Sequence, residues 1–325
     1  MPRMRVIQRI RVWAGRGPIA AALLTLIIIG VTVSEFLRPR ATNPTAPPAH
    51  TTDRRTLPVT LRPGPAVALA RSVSDRTSIV VYRGISTNSP LLSVSIVGRH
   101  VTVAPLTAGS PTVLTSPVSF YTQVYPQVIE VTSVPGTGAH IAFALASRAS
   151  RIHLEAYDLD RSGAPVGQWE SGIVGPSRGQ RELRLASWSP DGPDLFVIDR
   201  GLPDRAMRVR VLSRASRFRR VLLDRRVYVG AGFPRADWSL DIGRIAGDRP
   251  DLMLVSRSPI TGSHSTEVHV LTAKSEYSQY YMEAASTLPA SLGGRRNLVG
   301  FLNGLPTWFS INAVGARVQP FTLLG

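Results

Sequence analysis

The sequence predicts an all-β body that follows a single N-terminal transmembrane helix. Three observations predict this fold class: an uncharged apolar span near the N-terminus, short β-branched runs from residue 66 onwards, and the repetition of those runs along the chain. Apolar residues make up 43% of the 325 residues and charged residues 18%, which excludes a wholly disordered chain. The part beyond the N-terminal segment is long enough for one large all-β domain.

The composition excludes several classes of site. The chain contains no cysteine, so it has no disulfide framework, no thiol nucleophile and no cysteine-ligated metal centre. It has 38 basic residues, all but one of them arginine, against 21 acids, and its net charge is +17. Such a basic balance favours anionic partners.

The N-terminal segment predicts a signal anchor. Residues 1–17 hold five arginines and no acid, and residues 18–37 are apolar apart from a few polar side chains and one acid. A helix of about 20 residues crosses about 30 Å of hydrocarbon. Because arginine is concentrated on the cytoplasmic side of membranes, we expect residues 1–17 in the cytoplasm and the C-terminal domain outside the cell membrane. A cleaved secretory signal and a buried soluble helix are the alternatives.

Residues 38–65 predict a linker. This stretch contains seven prolines, with threonine and alanine between them. Proline removes a backbone donor and fixes φ, so the segment favours an extended chain over a regular helix. We expect it to hold the following domain, residues 66–325, away from the membrane.

The body itself is predicted to consist of short strands. Runs such as residues 78–83, 140–146, 194–199 and 251–256 are rich in valine, isoleucine and leucine, and several alternate apolar with polar residues. Clusters of glycine, proline, serine and aspartate separate them, as turns would. No helical stripe of three or more turns follows residue 40.

The strands repeat. Residues 194–201 and 251–258 match closely, and each is followed by a second similar run. Together with weaker copies they place repeat starts near residues 78, 140, 194, 251 and 297. A unit of about 50 residues holds a four-stranded meander, the size of one propeller blade. The sequence therefore predicts a small β-propeller of about five blades, with a β-sandwich as the alternative.

One stretch resembles a known repeat family. The motifs at residues 247–255, 261–263, 266–271 and 286–289 are similar to the bacterial VCBS or FG-GAP repeat, the repeat of integrin-α-like propellers. The resemblance covers residues 180–290 best. It implies a propeller of the kind found in secreted and surface proteins.

Blades of that family often carry a calcium loop before a strand. In this chain Asp241, Asp248 and Asp251 fall in the corresponding stretch, but their spacing differs and Ile245 stands where an oxygen ligand is needed. A second stretch, with Asp191 and Asp194, is shorter still. We therefore interpret these aspartates as turn residues and predict no metal and no cofactor.

Catalytic motifs are weak in this sequence. The six histidines lie outside any metal-binding spacing, and there is no G-x-S-x-G elbow. His153 and His269 alternate with apolar residues, so we expect them at a blade surface. The paired acids at Asp158 and Asp160 lie in a turn-like string, closer than the two carboxylates of a glycosidase are expected to be.

The strongest candidate for binding is an arginine-rich stretch. Few aromatic side chains accompany it, and the expected location is extracytoplasmic, so we do not expect a nucleic-acid partner. Guanidinium groups suit the phosphates and carboxylates of an envelope polymer, while a solvated basic face is the alternative interpretation. The candidate binding residues are Arg208, Arg210, Arg214, Arg217, Arg219, Arg220, Arg225 and Arg226.

Taken together, the sequence predicts a membrane-anchored, non-enzymatic binding or scaffold module for a partner protein or an anionic envelope polymer. The alternative is an envelope hydrolase that acts on a glycan or an ester at the propeller axis. At least two acids, or a serine, a histidine and an aspartate, gathered in one pocket would favour the hydrolase, and an axis lined by apolar and arginine side chains would count against it.

Overall fold

The structure, a computed structural model, describes residues 60–64, 67–68, 77–83, 88–106, 114–177, 179–200, 202, 206–228, 238–258, 265–286, 296–312 and 317–324. The chain divides into two compact units, Met1–Asp53 and Arg54–Gly325, and every described residue belongs to the second. The predicted tail and transmembrane helix, residues 1–37, lie outside the described residues. Within the described ranges, no helix is both long enough and apolar enough to span a membrane.

The described chain is built from antiparallel strands and one short 3-10 turn. The predicted all-β body is thereby confirmed. The strands are β1 (Thr60–Pro63), β2 (Val67–Ala68), β3 (Thr77–Val81), β4 (Leu91–Val97), β5 (His100–Pro105), β6 (Val118–Tyr121), β7 (Val128–Ser133), β8 (His140–Arg148), β9 (Arg151–Asp158), β10 (Ala164–Glu170), β11 (Gln180–Ala186), β12 (Asp194–Arg200), β13 (Ala206–Leu212), β14 (Val221–Tyr228), β15 (Trp238–Gly243), β16 (Asp251–Ser258), β17 (Ser265–Leu271), β18 (Tyr280–Ser286), β19 (Arg296–Leu302), β20 (Leu305–Asn312) and β21 (Arg317–Leu324), and the 3-10 turn is Ala273–Ser275.

The strands form five blades. Four blades are consecutive meanders: blade 1 is β3–β6, blade 2 is β7–β10, blade 3 is β11–β14 and blade 4 is β15–β18. Blade 5 combines β19, β20 and β21 with β1 as its outer strand. The first strands of the blades contact one another in turn around a closed ring, with β19 returning to β3. This arrangement confirms the predicted five-bladed propeller and is not the β-sandwich.

The ring is closed by the two ends of the domain. Strand β1 pairs antiparallel with β21, from Thr60 opposite Leu324 to Pro63 opposite Phe321. These four residues fall within the range assigned to the linker from its proline content. Proline is tolerated on an edge strand, where a missing N–H leaves no ladder bond unmade, so proline content alone does not mark the linker's end.

Buried side chains lie between neighbouring blades. In the described part of the chain they form five clusters, one for each pair of adjacent blades around the ring. The second strand of a blade contributes to two clusters at once. In β12, Leu195 and Val197 face blade 2, whereas Phe196 and Ile198 face blade 4. Burial on both faces explains why such strands are continuous apolar runs.

The phase of the repeat differs from the prediction. The starts near 140, 194 and 251 are the first residues of the second strands β8, β12 and β16, whereas those near 78 and 297 lie in the first strands β3 and β19. The second strands are the most apolar and were therefore the easiest to recognise. The first strands of blades 2, 3 and 4 interrupt their apolar pattern with charged residues, and those charges lie at the axis.

Candidate functional site

Charged side chains meet at the propeller axis. The first strands β7, β11 and β15 run side by side around it, and each carries charged residues among its apolar ones. Arg83, which follows β3, completes the group from blade 1. Gly243 lets β15 approach β19 closely, because a Cβ atom there would lie 2.4 Å from Cγ1 of Val299. We call this group the axis cluster: Arg83, Glu130, Glu182, Arg184, Arg200 and Asp241.

Asp241 is the centre of the axis cluster. Its side chain is fully buried. Oδ1 accepts hydrogen bonds from Arg83 Nη2 at 2.6 Å and from Arg184 Nε at 3.0 Å. Oδ2 accepts the backbone N–H of Val299 at 2.7 Å. One carboxylate thus joins blades 1, 3, 4 and 5, and a buried charge with this many donors is well compensated.

Two glutamates balance the remaining arginine charge. Glu130 lies 3.4 Å from Arg83 Nε and 3.7 Å from Arg184 Nε. Glu182 lies 3.3 Å from Arg184 Nη2 and also pairs with Arg200. Three acids and three arginines make the cluster formally neutral, provided that every carboxyl is ionised.

Burial shifts the pKa values within the cluster. It raises the pKa of Glu130 above its ordinary value, although Arg83 and Arg184 act to lower it. Burial also acts to lower the pKa of Arg184, but the carboxylates of Glu182 and Asp241 outweigh it and raise that pKa. Burial thus favours the protonated form of Glu130.

A cavity of about 300 Å³ opens above the cluster, at the end of the axis where the first strands of the blades terminate. We call it the axis pocket. Its walls come from the ends of β3, β7, β11, β15 and from β19, together with the turns that follow them. Arg83 lines both this pocket and a smaller cavity of about 30 Å³ on the other side, which Glu130 and Arg184 also line.

The charged side chains that line the axis pocket are Arg83 and Arg244, and no described acid lines it. Arg83 is held from below by Glu130 and Asp241 and donates to the carbonyl of Ile242. Arg244 is exposed, and no described acid forms an ion pair with it. The acids thus stay beneath the floor of the pocket while its walls carry positive charge.

The axis satisfies neither of the two contrasting expectations completely. Three acids converge there, but every one of them pairs with an arginine and none lines the axis pocket, as the hydrolase alternative would require. Of the six residues of the axis cluster, the sequence singled out only Asp241, as a turn residue, and that interpretation was wrong because Asp241 lies within strand β15. A signal was nevertheless present: Arg184 and Asp241 each interrupt an apolar run ten residues upstream of the repeated Asp194 and Asp251.

The predicted arginine patch is divided by the structure. Arg208 forms a bidentate pair with Asp224, at 2.8 Å and 2.6 Å. Arg210 is buried and pairs with Asp199, a carboxylate that Arg181 also binds. Burial lowers the pKa of Arg210. Two partners on neighbouring strands, Asp224 and Asp199, thus absorb part of the charge that the sequence shows in this stretch.

Strand geometry places these arginines on different faces. Arg208 and Arg210 share one face of β13, and Arg226 lies opposite Arg208 on β14. Arg225 lies opposite Val209, so it lies on the other face, where it pairs with Glu276 of blade 4. The stretch is therefore not one continuous basic surface.

The exposed remainder lies in the turn between β13 and β14. Arg217, Arg219 and Arg220 are exposed there and form no ion pair with any described residue. We call these three residues the arginine turn. Arg214, at the start of the same turn, donates to the carbonyl of Gly192 at 3.0 Å, and burial lowers its pKa.

Two of the aspartates considered for calcium, Asp251 and Asp194, hold turns together. Asp251 Oδ2 accepts the backbone N–H groups of Ile245 and Ala246, and Oδ1 accepts that of Ala273. Asp194 acts in the same way in blade 3, towards Ser189 and Arg214. Their oxygens are thus occupied by backbone donors, as the interpretation as turn residues requires. Within the described residues, no group of three or more metal-binding side chains comes together.

The histidine predictions need correction. His153 and His269 were expected at a blade surface, but both are buried. Nε2 of His153 lies 2.8 Å from Glu155, which also accepts from the Tyr157 hydroxyl. The middle strands of a blade have an adjacent blade against each face, so alternation with apolar residues does not imply exposure.

Comparisons with known proteins add little. No protein-family model matches the chain, and no curated protein matches it. Among solved structures, the chain is similar to hydrazine synthase of Kuenenia stuttgartiensis, with a TM-score of 0.36 and 13% identity over 71% of this chain. The matched part spans 64% of that chain. The resemblance to the VCBS or FG-GAP repeat therefore stays a prediction.

Proposed function

We propose that the protein is a membrane-anchored, extracytoplasmic binding module, in which the propeller presents a basic surface to an anionic envelope polymer. The observation that carries the proposal is the arginine turn. Arg217, Arg219 and Arg220 crowd one exposed turn at the edge of blade 3, while neighbouring arginines are neutralised by acids. Exposed guanidinium groups that form no ion pair with a described acid favour binding of phosphate or carboxylate groups from another molecule.

The fold supports a presenting role. A closed ring of five blades leaves few strand edges, so its loops and turns project from a rigid support. Binding sites are commonly placed on such loops. The charge of the axis cluster is internally balanced, whereas that of the arginine turn is not.

Membrane topology can be tested with single cysteines, because the chain contains none. Arg161→Cys places a thiol on a side chain that is 82% exposed, and Gln8→Cys places one in the N-terminal tail. In intact cells, a membrane-impermeant maleimide is expected to label the first variant and to label the second only after lysis. Labelling of Gln8→Cys alone in intact cells would indicate the opposite topology. Labelling of neither variant would contradict an extracytoplasmic domain.

Polymer binding can be tested with the full-length chain in detergent. Teichoic acid serves as the anionic probe and dextran as the neutral one. We expect binding to teichoic acid alone, weakening as salt rises. The triple variant Arg217→Ala, Arg219→Ala, Arg220→Ala should lose on the order of tenfold in affinity, the equivalent of about 1.4 kcal/mol.

The matched control is the double variant Arg208→Ala, Arg225→Ala, which removes arginines of the same stretch that already have acidic partners. It should bind nearly as well as the unmodified chain. Equal losses in both variants would show only a general effect of charge and would contradict a specific role for the arginine turn. Salt-independent capture of a protein partner in place of the polymer would contradict the polymer proposal as well.

One observation favours the hydrolase alternative. Three acids meet at the axis, and burial raises the pKa of Glu130, as a general acid requires. If the chain were a hydrolase, the full-length protein should cleave nitrophenyl esters or glycosides, and Glu130→Gln should lower kcat on the order of a hundredfold or more. We expect no turnover by either protein.

A further inference from the structure

We propose that the axis pocket is a binding site for a small acidic sugar, that is, a ring with several hydroxyl groups and one carboxylate. The pocket is distinct from the arginine turn, since it lies at the axis and not at the edge of blade 3. Residues from all five blades line it. A completed ring is therefore needed to form it.

The charge of the pocket selects an anion. Arg83 and Arg244 line it, and no described acid does. Of the five N–H groups of Arg83, three are committed to Glu130, Asp241 and the carbonyl of Ile242, which leaves two for a ligand. Because those acids lie beneath Arg83 and the cluster is formally neutral, Arg244 leaves the pocket with a net positive charge.

The remaining walls suit a hydroxylated ring. Ser89, Thr132, Ser133 and Ser187 are among the residues that line the pocket, and the hydroxyl of Thr132 already donates to the carbonyl of Arg83. Ser89 Oγ accepts the N–H of Phe301 at 2.7 Å, so its own proton is left to donate. Phe301 and the prolines of the pocket add apolar surface for the C–H face of a sugar ring. Ligand sites of this kind combine apolar walls with a few convergent polar groups.

The size of the pocket limits the ligand. A cavity of about 300 Å³ corresponds to roughly ten water volumes. This space admits a single sugar and excludes a folded polymer segment. A terminal residue of a longer glycan could enter as well, since the pocket is open to solvent at the end of the axis.

The test is calorimetric titration of the full-length chain with three probes of similar size. D-glucuronate carries hydroxyls and a carboxylate, D-glucose lacks the carboxylate, and cyclohexanecarboxylate lacks the hydroxyls. We expect D-glucuronate to bind on the order of tenfold more tightly than either other probe. Equal binding of D-glucose would refute the anion preference, equal binding of cyclohexanecarboxylate would refute the sugar, and no binding of D-glucuronate would overturn the proposal.

Variants locate the site. Arg244→Ala should remove the advantage of D-glucuronate over D-glucose, and Arg244→Lys should restore part of it. Arg249→Ala is the matched control, because Arg249 is an exposed arginine of the same turn that lies over the ring of Trp188 and does not line the pocket. The arginine-turn triple variant should bind D-glucuronate normally. Loss of binding in Arg249→Ala equal to that in Arg244→Ala would contradict the placement.

Discussion

At the scale of single residues, Asp241 is the most consequential charge in the propeller. Its buried carboxylate accepts from Arg83, Arg184 and the N–H of Val299. Asp241→Asn would leave two arginines undercompensated at the axis, and breaking a buried pair in this way destabilises proteins by about 3–5 kcal/mol. Chemical denaturation followed by circular dichroism measures the loss.

Two variants provide controls for that prediction. Asp224→Asn removes the partner of Arg208 in an exposed pair and should change stability by about 0–1 kcal/mol. Glu130→Gln should be milder than Asp241→Asn, because burial already disfavours the charge of Glu130. An effect of Asp241→Asn no larger than that of Asp224→Asn would show that the axis cluster does not stabilise the ring.

A second prediction at this scale concerns acid stability. Glu155 accepts from Tyr157, His153 and the N–H groups of Gln123 and Val124. Although burial acts in the opposite direction, these hydrogen bonds lower the pKa of Glu155. A carboxyl with a lowered pKa stabilises the fold above its unfolded pKa of about 4.3, and this contribution is lost as the pH falls through the folded value.

Glu155→Gln should therefore cost about 1–3 kcal/mol at pH 7, with a smaller difference from the unmodified chain at pH 3. Unfolding in urea at the two pH values measures both differences. Glu170→Gln, on an exposed side chain 3.9 Å from His153, should show little difference at either pH. A deficit for Glu155→Gln that stayed constant with pH would contradict the lowered pKa.

Residue roles were the hardest to predict from the sequence. The arginine-rich stretch was visible, but its partners Asp199, Asp224 and Glu276 are brought to it by strand pairing and blade packing. Composition cannot show which charges are neutralised by others. For the same reason, the interrupted apolar runs at Arg184 and Asp241 did not show that these residues, which come from separate blades, meet at the axis.

At the scale of elements, the repeated aspartate at the start of the second strand acts as a clamp. In blade 4, Asp251 ties the turn before β16 to the turn after β17 through three backbone N–H groups. In Asp251→Asn, the new side-chain amide would face some of these backbone N–H groups with a second donor. We therefore expect the free energy of unfolding to fall by about 2–3 kcal/mol. Thermal unfolding, compared with Asp248→Asn on an exposed residue of the same turn, measures it.

The same comparison can be made in blade 3 with Asp194→Asn and the exposed Asp191→Asn. Similar losses at Asp194 and Asp251 would show that the two repeats use one device. If Asp248→Asn were as destabilising as Asp251→Asn, the aspartates of this turn would act together, as the aspartates of a metal-binding loop do. That result would contradict the interpretation of Asp251 as a clamp.

Elements buried on both faces were predicted well, and those at the axis poorly. Residues 195–198 of β12 and 252–255 of β16 are all apolar because blades pack against both of their faces, and this pattern revealed the repeat. Strands β11 and β15 carry charges that meet only around the axis, so each is too polar in isolation to be recognised as an inner strand. This difference explains the shift in phase between the predicted and observed blades.

At the scale of the whole molecule, repetition alone was enough to predict a ring. A meander of about 50 residues cannot bury both of its faces, so copies must pack side by side until the ring closes. Five repeats gave five blades. The closure of the ring by β1 was not predictable from the sequence. Strand β1 has only four residues and lies among turn-forming residues, and pairing with β21 is what makes it a strand.

Closure by β1 gives the last prediction. Without Thr60–Pro63, residues 321–324 of β21 would lose their neighbour at the edge of blade 5, where β2 pairs only with Val318 and Arg317, and unpaired edges promote association. A chain that begins at Arg54 should remain monomeric and unfold in one transition. A chain that begins at Val67 should unfold at lower denaturant concentration and associate in light scattering. Pro63 has no N–H to donate, so the loss of Thr60, Leu61 and Arg62 should account for the full loss of stability. Equal stability of the two chains would show that β1 is dispensable to the ring.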